Sequence, residues 1–126
     1  NFGIFFTQAI VKTIQTLLII LGVVTTFLIL TSIFDQHIQL NSYHQSILNG
    51  FLEMTQGLKY VSILQIPLRL KCTLIVMILS FGGFSVHMQM FSFLDSKVRY
   101  FPFLTARIGH ALFSSVLIYS IFPFFF

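Results

Sequence analysis

The residues with most chemistry to offer sit in two short stretches of an otherwise apolar chain. In the first, "NGFLEMTQG", Asn49, Thr55 and Gln56 crowd around the carboxylate of Glu53. An acidic side chain at the centre of a membrane segment costs about 2.5–3.5 kcal/mol on insertion scales. Such a residue normally faces protein or a pathway and has a partner. Glu53 therefore suits a polar ligand to a solute, or a site for a coupling proton or cation. The structural alternatives are an ion pair with Lys59, or a side chain reaching back to the surface.

The second stretch, "SFGGFSVHMQ" (Ser80 to Gln89), lies inside the uncharged run from Cys72 to Leu94. Gly82 and Gly83 weaken a helix and tolerate positive φ, so backbone groups there can leave the ladder and face a ligand. A half-helix starting near Ser85 would aim its first amides at an anionic or polar group. Ser85, His87 and Gln89 would supply donors and acceptors beside it. The alternative is a close helix crossing, with the glycines as packing positions and His87 bonded to a neighbouring carbonyl. The two are not exclusive. Taken together, the stretches lead us to expect Glu53 and His87 to reach one aqueous cavity.

Other polar residues carry less. No Ser-His-Asp order, P-loop, H-E-x-x-H or Gly-rich nucleotide fingerprint is present, so an enzyme reading has little support and no cofactor is expected. His37 and His44 do not make a metal site by themselves. Cys72, the single cysteine, permits neither an internal disulfide nor a thiolate metal site. Asp35 and Asp95 read as helix-end charges. Arg107 and His110 read as interface anchors at the start of the last helix.

The elements that must position these residues follow from composition. The chain has 126 residues, 56% hydrophobic and 8% charged, with mean hydropathy +0.94. A soluble domain carries about 25% charged residues, so this chain lacks the polar surface to cover a water-facing globule. The expected fold is an all-α multi-pass membrane protein in contact with the lipid bilayer. The net charge of +4 reads as basic loop ends obeying membrane topology, and not as nucleic-acid binding. Asn1 and the closing "PFFF" read as cut ends, so a fragment of a longer protein is expected. Its N-terminal half or an oligomer partner would then be missing, and no signal peptide is evident.

Residues 13–34 form an uncharged run of roughly 33 Å as a helix, enough for a hydrocarbon core of about 30 Å. In 46–66, the apolar pieces Ile47–Leu52 and Leu58–Ile66 flank the polar "EMTQG". That pattern predicts a re-entrant helical hairpin, tolerated where its tip is buried in protein or faces a water-filled cavity. A single amphipathic span is the alternative. Residues 72–94 are expected to form a broken transmembrane helix, and 108–126 a final span whose terminus suits Pro123. With a re-entrant hairpin, Lys12, Lys97, Arg99 and Arg107 share one side and Arg69 and Lys71 the other. The more basic side is then cytoplasmic.

The pieces "GFLEMTQGLKYVS", "VMILSFGGFSVHMQMFSFL" and "VRYFPFLTARIGHAL", in this order, resemble the YlbJ (SpoVV) family of sporulation integral membrane proteins. That family belongs to the nucleoside-recognition or Gate-domain group, related to concentrative nucleoside transporters. The resemblance, which is to the family's C-terminal half and implies that the chain is a C-terminal fragment of a longer protein, covers about residues 46–118. Its specific parts are G-x-x-E-x-T-x-G from Gly50 to Gly57 and S-F-G-G-x-x-x-H-x-Q from Ser80 to Gln89.

The resemblance implies half of a nucleoside-transporter-like Gate repeat in the membrane of a sporulating bacterium. It also implies dipicolinate movement across the outer forespore membrane. Glu53, Thr55 and Gln56 would sit at a hairpin tip, with Ser85, His87 and Gln89 after an unwound point. A complete family member has a second, preceding half that this chain is too short to contain. Two functions follow as expectations. One is a secondary transporter of a small polar or anionic metabolite. The other is a non-transporting scaffold of a sporulation complex, with Gly82 and Gly83 packing helices and the 95–107 loop docking a partner.

Overall fold

The structure, a computed structural model, describes residues 1–126 and is built from six helices. Helix α1 covers Phe2–His37, α2 Ser42–Leu52, α3 Met54–Ile63, α4 Leu68–Phe81, α5 Gly83–Phe93 and α6 Tyr100–Phe125. Three stretches are long and apolar enough to cross a membrane: Phe2–His37, Leu68–Phe93 and Tyr100–Phe125. The fold is all-α, as composition requires.

Helix α1 starts eleven residues ahead of the run at 13–34. Asn1 caps it by accepting from the Gly3 amide at 3.0 Å, and nothing between Phe2 and Lys12 breaks a helix. At 36 residues α1 is roughly 54 Å long, so it outruns a core of about 30 Å and must tilt or project. Its hydroxyls do not spoil an apolar surface. Thr26 donates to Gly22 O and Thr31 to Leu28 O, both at 2.8 Å.

Helix α6 also starts earlier than expected, at Tyr100 instead of Ile108. Pro102 is the reason the sequence misleads. It lies in the first helical turn, where its missing amide would have had no intrahelical partner, so it is no breaker there. Pro123 sits within α6, two residues before its end.

The α4–α5 unit is central and α1 and α6 are peripheral. The most apolar 18-residue stretch of the Leu68–Phe93 span is 44% buried, against 6% for the corresponding stretches of the other two. Helix α4 packs along α6, α5 against α1, and the α2–α3 hairpin against both α4 and α5. Val61 and Leu64 of the hairpin join Leu74 and Ile78 of α4 in the one buried apolar cluster. Arg69 fastens the start of α4 to the end of α6: its Nε donates to Tyr119 O at 2.8 Å and its guanidinium lies 3.7 Å from the Tyr119 ring centroid.

The half-helices of the hairpin cross where both carry glycine. A Cβ on Gly57 would overlap Gly50 Cα and lie 2.5 Å from Gly50 N, while one on Gly50 would meet Ile78 Cδ1 at 2.6 Å. Small residues let helix backbones touch in this way, which is how helices associate where no hydrophobic effect drives them.

Candidate functional site

The α2–α3 turn is a single residue, Glu53, in extended conformation (φ −141°, ψ 114°). Its backbone breaks the helix and its side chain starts the next one. The carboxylate accepts from the Gln56 amide at 2.8 Å and from the Thr55 hydroxyl, capping α3. This satisfies donors that every helix start leaves free. Glu53 is 2% exposed. Its partners are thus Thr55 and Gln56, and not Lys59, which is exposed.

The second interruption is at Gly82, whose φ of 87° ends α4 in the left-handed region; Gly83, at φ 72°, opens α5. That is where Gly82–Gly83 differ from the Ser85 start read in the sequence. The two interruptions meet. A Cβ on Gly83 would lie 2.9 Å from Met54 N and 3.3 Å from Gly50 O, so backbone touches backbone at the hairpin tip. A Cβ on Gly82 would meet nothing closer than Val86 Cγ1 at 3.6 Å. Gly82→Ala should therefore lose only the conformational term, about 1–2 kcal/mol, and Gly83→Ala distinctly more. Thermal unfolding of the two variants in detergent orders them; equal losses would mean that the contact at the tip is not made.

The end of α4 leaves carbonyls without intrahelical partners, and side chains take them. His87 Nε2 bonds Phe81 O at 2.9 Å, and Arg107 Nη1 donates to Ser80 O at 3.2 Å. The other His87 nitrogen, Nδ1, pairs with the Tyr100 hydroxyl at 3.1 Å. A neutral ring donating through Nε2 and accepting at Nδ1 satisfies both bonds. His87 is 2% exposed, with its ring against Phe81, Phe84, Tyr100 and Phe103. It has no nitrogen left for a ligand.

Two expectations change here. Glu53 and His87 do not share a cavity. His87 lines an apolar cleft of about 470 Å³ with Phe27, Phe84, Met88, Phe91 and Tyr100, while Glu53 lines none, because its carboxylate is folded back onto its own helix end. Arg107 is not an interface anchor. With α6 starting at Tyr100, it lies alongside the break in the middle of the α4–α5 span, also 3.4 Å from Met90 Sδ.

Of the remaining candidate residues, Asn49 and Ser85 stand apart. Both are buried, and each holds a side-chain oxygen with no hydrogen-bond partner: Asn49 Oδ1 and Ser85 Oγ. Burying such an atom unpaired costs about 1–3 kcal/mol. Ser85 lies in the first turn of α5, which has no side-chain cap. Asn49 is in the last turn of α2, and its Nδ2 donates to Asp35 Oδ1 and to Gln45 O, both at 3.0 Å. Gln89 is half-buried and joins none of these bonds; Thr55 is exposed apart from its bond to Glu53.

Sequence reasoning missed Asp35, Tyr60 and Tyr100. Asp35 accepts from Asn49 and, at 2.9 Å, from the Tyr60 hydroxyl. The available signal was that residues 35–46, "DQHIQLNSYHQS", contain an acid and no Lys or Arg to pair with it.

No family model matches the chain, and no solved structure matches it. Among curated proteins it is similar to "Sporulation integral membrane protein YlbJ" of Bacillus subtilis (strain 168), with 34% identity over 73 residues. That stretch is 57% of this chain and 18% of the relative, so the chain spans less than a fifth of the protein it matches. With three apolar helices of spanning length, this likeness to an integral membrane protein supports a place in the membrane.

Proposed function

We propose that this chain forms part of a secondary transporter and supplies one half of a nucleoside-transporter-like Gate repeat. In this reading α2 and α3 are a re-entrant hairpin, and its tip and the α4–α5 break form one wall of a solute site. The solute is a small polar or anionic metabolite, with dipicolinate the choice favoured by the family resemblance and the outer forespore membrane the place. The chain works as a carrier, without chemistry on the solute, and a proton or cation provides the coupling at Glu53.

One observation carries the reading: Asn49 Oδ1 and Ser85 Oγ are buried and unpartnered, one on each of the two interrupted elements that touch at Gly83. Purely structural polar groups in a membrane interior are paired off, because hydrocarbon offers them nothing. Transporters of this general kind place solute and ion sites at discontinuous helices. Asn49, Ser85 and the first amides of α5 are the direct ligands in this reading. Glu53, Thr55 and Gln56 shape the tip, Gly82 and Gly83 permit the contact, His87 holds the break closed, and Gln89 lines the approach. Because the bonds around Glu53 and His87 are closed, the solute route opens by movement of the tip against the break, or is completed by the rest of the protein.

A scaffold would use the same glycines for packing alone. Ser85→Ala combined with Gln89→Leu separates the two. The pair removes one unpartnered hydroxyl and one half-buried amide, so it should leave membrane abundance unchanged and stop uptake of labelled dipicolinate by the full-length protein. Uptake at the wild-type rate would reject the carrier.

A further inference from the structure

Two hydrogen bonds fix the side-chain amide of Asn49, and both use the same end of it. Nδ2 donates to Asp35 Oδ1 and to Gln45 O, each at 3.0 Å. A carboxylate and a carbonyl oxygen only accept. Rotating the amide by a half-turn would set Oδ1 against both acceptors, so the observed orientation is the one these partners enforce. Oδ1 is thereby held on the far side, buried and unpartnered.

Asp35 is held in turn. Its Oδ2 accepts from the Tyr60 hydroxyl at 2.9 Å, so one carboxylate on α1 ties together α2 through Asn49 and α3 through Tyr60. Gln45 O, a backbone carbonyl one turn back along α2, favours the same orientation of the Asn49 amide, and the charge on Asp35 adds the stronger preference.

We infer that Asp35 is a positioning residue: it touches no solute, and it determines that Asn49 presents its oxygen, and not its nitrogen, to the interior of the site. This rests on the carrier reading, in which Asn49 Oδ1 is a ligand. It gives Asp35 a task that a helix-end charge would not have.

The test is uptake of labelled dipicolinate by the full-length protein in membrane vesicles, with KM and maximal rate measured separately. Asn49→Ala sets the scale, with KM expected to rise about tenfold or more for the loss of one bond to a bound solute. Asp35→Asn keeps the shape but can donate as well as accept, so only Gln45 O still favours the observed orientation. It should raise KM severalfold, by less than Asn49→Ala, while maximal rate and abundance stay near wild type.

Asp35→Asn added to Asn49→Ala should cost nothing further, because there is no amide left to orient. Tyr60→Phe removes the other bond to the same carboxylate and keeps the one to Asn49, so it should leave KM near wild type. It separates the orienting bond from the tie between helices. An unchanged KM in Asp35→Asn, additive losses in the double variant, or a Tyr60→Phe protein with the raised KM of Asp35→Asn would each overturn the inference while leaving the carrier in place. An Asn49→Ala protein with wild-type KM would remove the site reading itself, and this inference with it.

Discussion

Gly57→Ala is expected to destroy the hairpin, although it adds one methyl group. The new Cβ would overlap Gly50 Cα and lie 2.5 Å from Gly50 N, so it collides with backbone and not with a side chain that could swing away. Overpacking a well-packed interior costs about 1–3 kcal/mol when side chains can adjust. Here the half-helices themselves must separate, which takes Val61 and Leu64 off the cluster they form with Leu74 and Ile78. We expect membrane abundance to fall severely and the unfolding temperature in detergent to drop by about 10 °C or more.

Gly22→Ala and Gly109→Ala are the controls. A Cβ at either position meets nothing within 4 Å, and alanine is the better helix former by about 1 kcal/mol. Those variants should be as stable as wild type or more so. A Gly57→Ala protein that behaved like them would show that the half-helices do not cross at this point.

The second large effect is expected at Glu53, where two substitutions separate structure from function. Glu53→Gln keeps the size of the side chain and an oxygen that accepts from the Gln56 amide, so the cap on α3 survives. Glu53→Ala loses the cap, at about 0.5–2 kcal/mol, and leaves the Gln56 amide and the Thr55 hydroxyl without their acceptor. If the carboxylate carries the coupling proton or cation, both variants should lose pH-dependent uptake in the full-length protein. Only Glu53→Ala should also lower the unfolding temperature. Glu53→Gln with wild-type uptake and an unchanged pH profile would take this residue out of the mechanism and leave it as a capping group.

How much of this could be read from the sequence depends on the range of the interaction. The all-helical fold and its apolar spans follow from composition, because few charged residues and long uncharged runs leave no other way to satisfy the backbone in lipid. The glycine pair at 82–83 is a local signal, since only glycine takes up positive φ without strain. The start of α6 was not legible, because Pro102 breaks a helix in its interior and is harmless in its first turn.

The site was legible as a set of residue types and not as a set of bonds. Nothing near Asp35 in the sequence announces that it accepts from Asn49 and Tyr60. Nothing near Arg107 announces that it will reach Ser80 O. Those partners are set by how the helices pack, and the glycine contacts at Gly50, Gly57 and Gly83 fix only the packing of the hairpin, within itself and against α4 and α5. The same holds for His87, whose ring looks available until Phe81 O and Tyr100 occupy both nitrogens.

In the proposed carrier the hairpin tip and the Gly82–Gly83 break enclose a solute site that opens to water in the working protein. Replacing Cys72 by alanine and Ser85 by cysteine in the full-length protein puts one thiol at that junction. A small water-soluble thiol reagent added to membrane vesicles should modify this cysteine, and dipicolinate should slow the reaction. A cysteine at position 85 that reacts only with a lipid-soluble reagent, or with neither, would contradict the solute site and leave a dry helix crossing in its place.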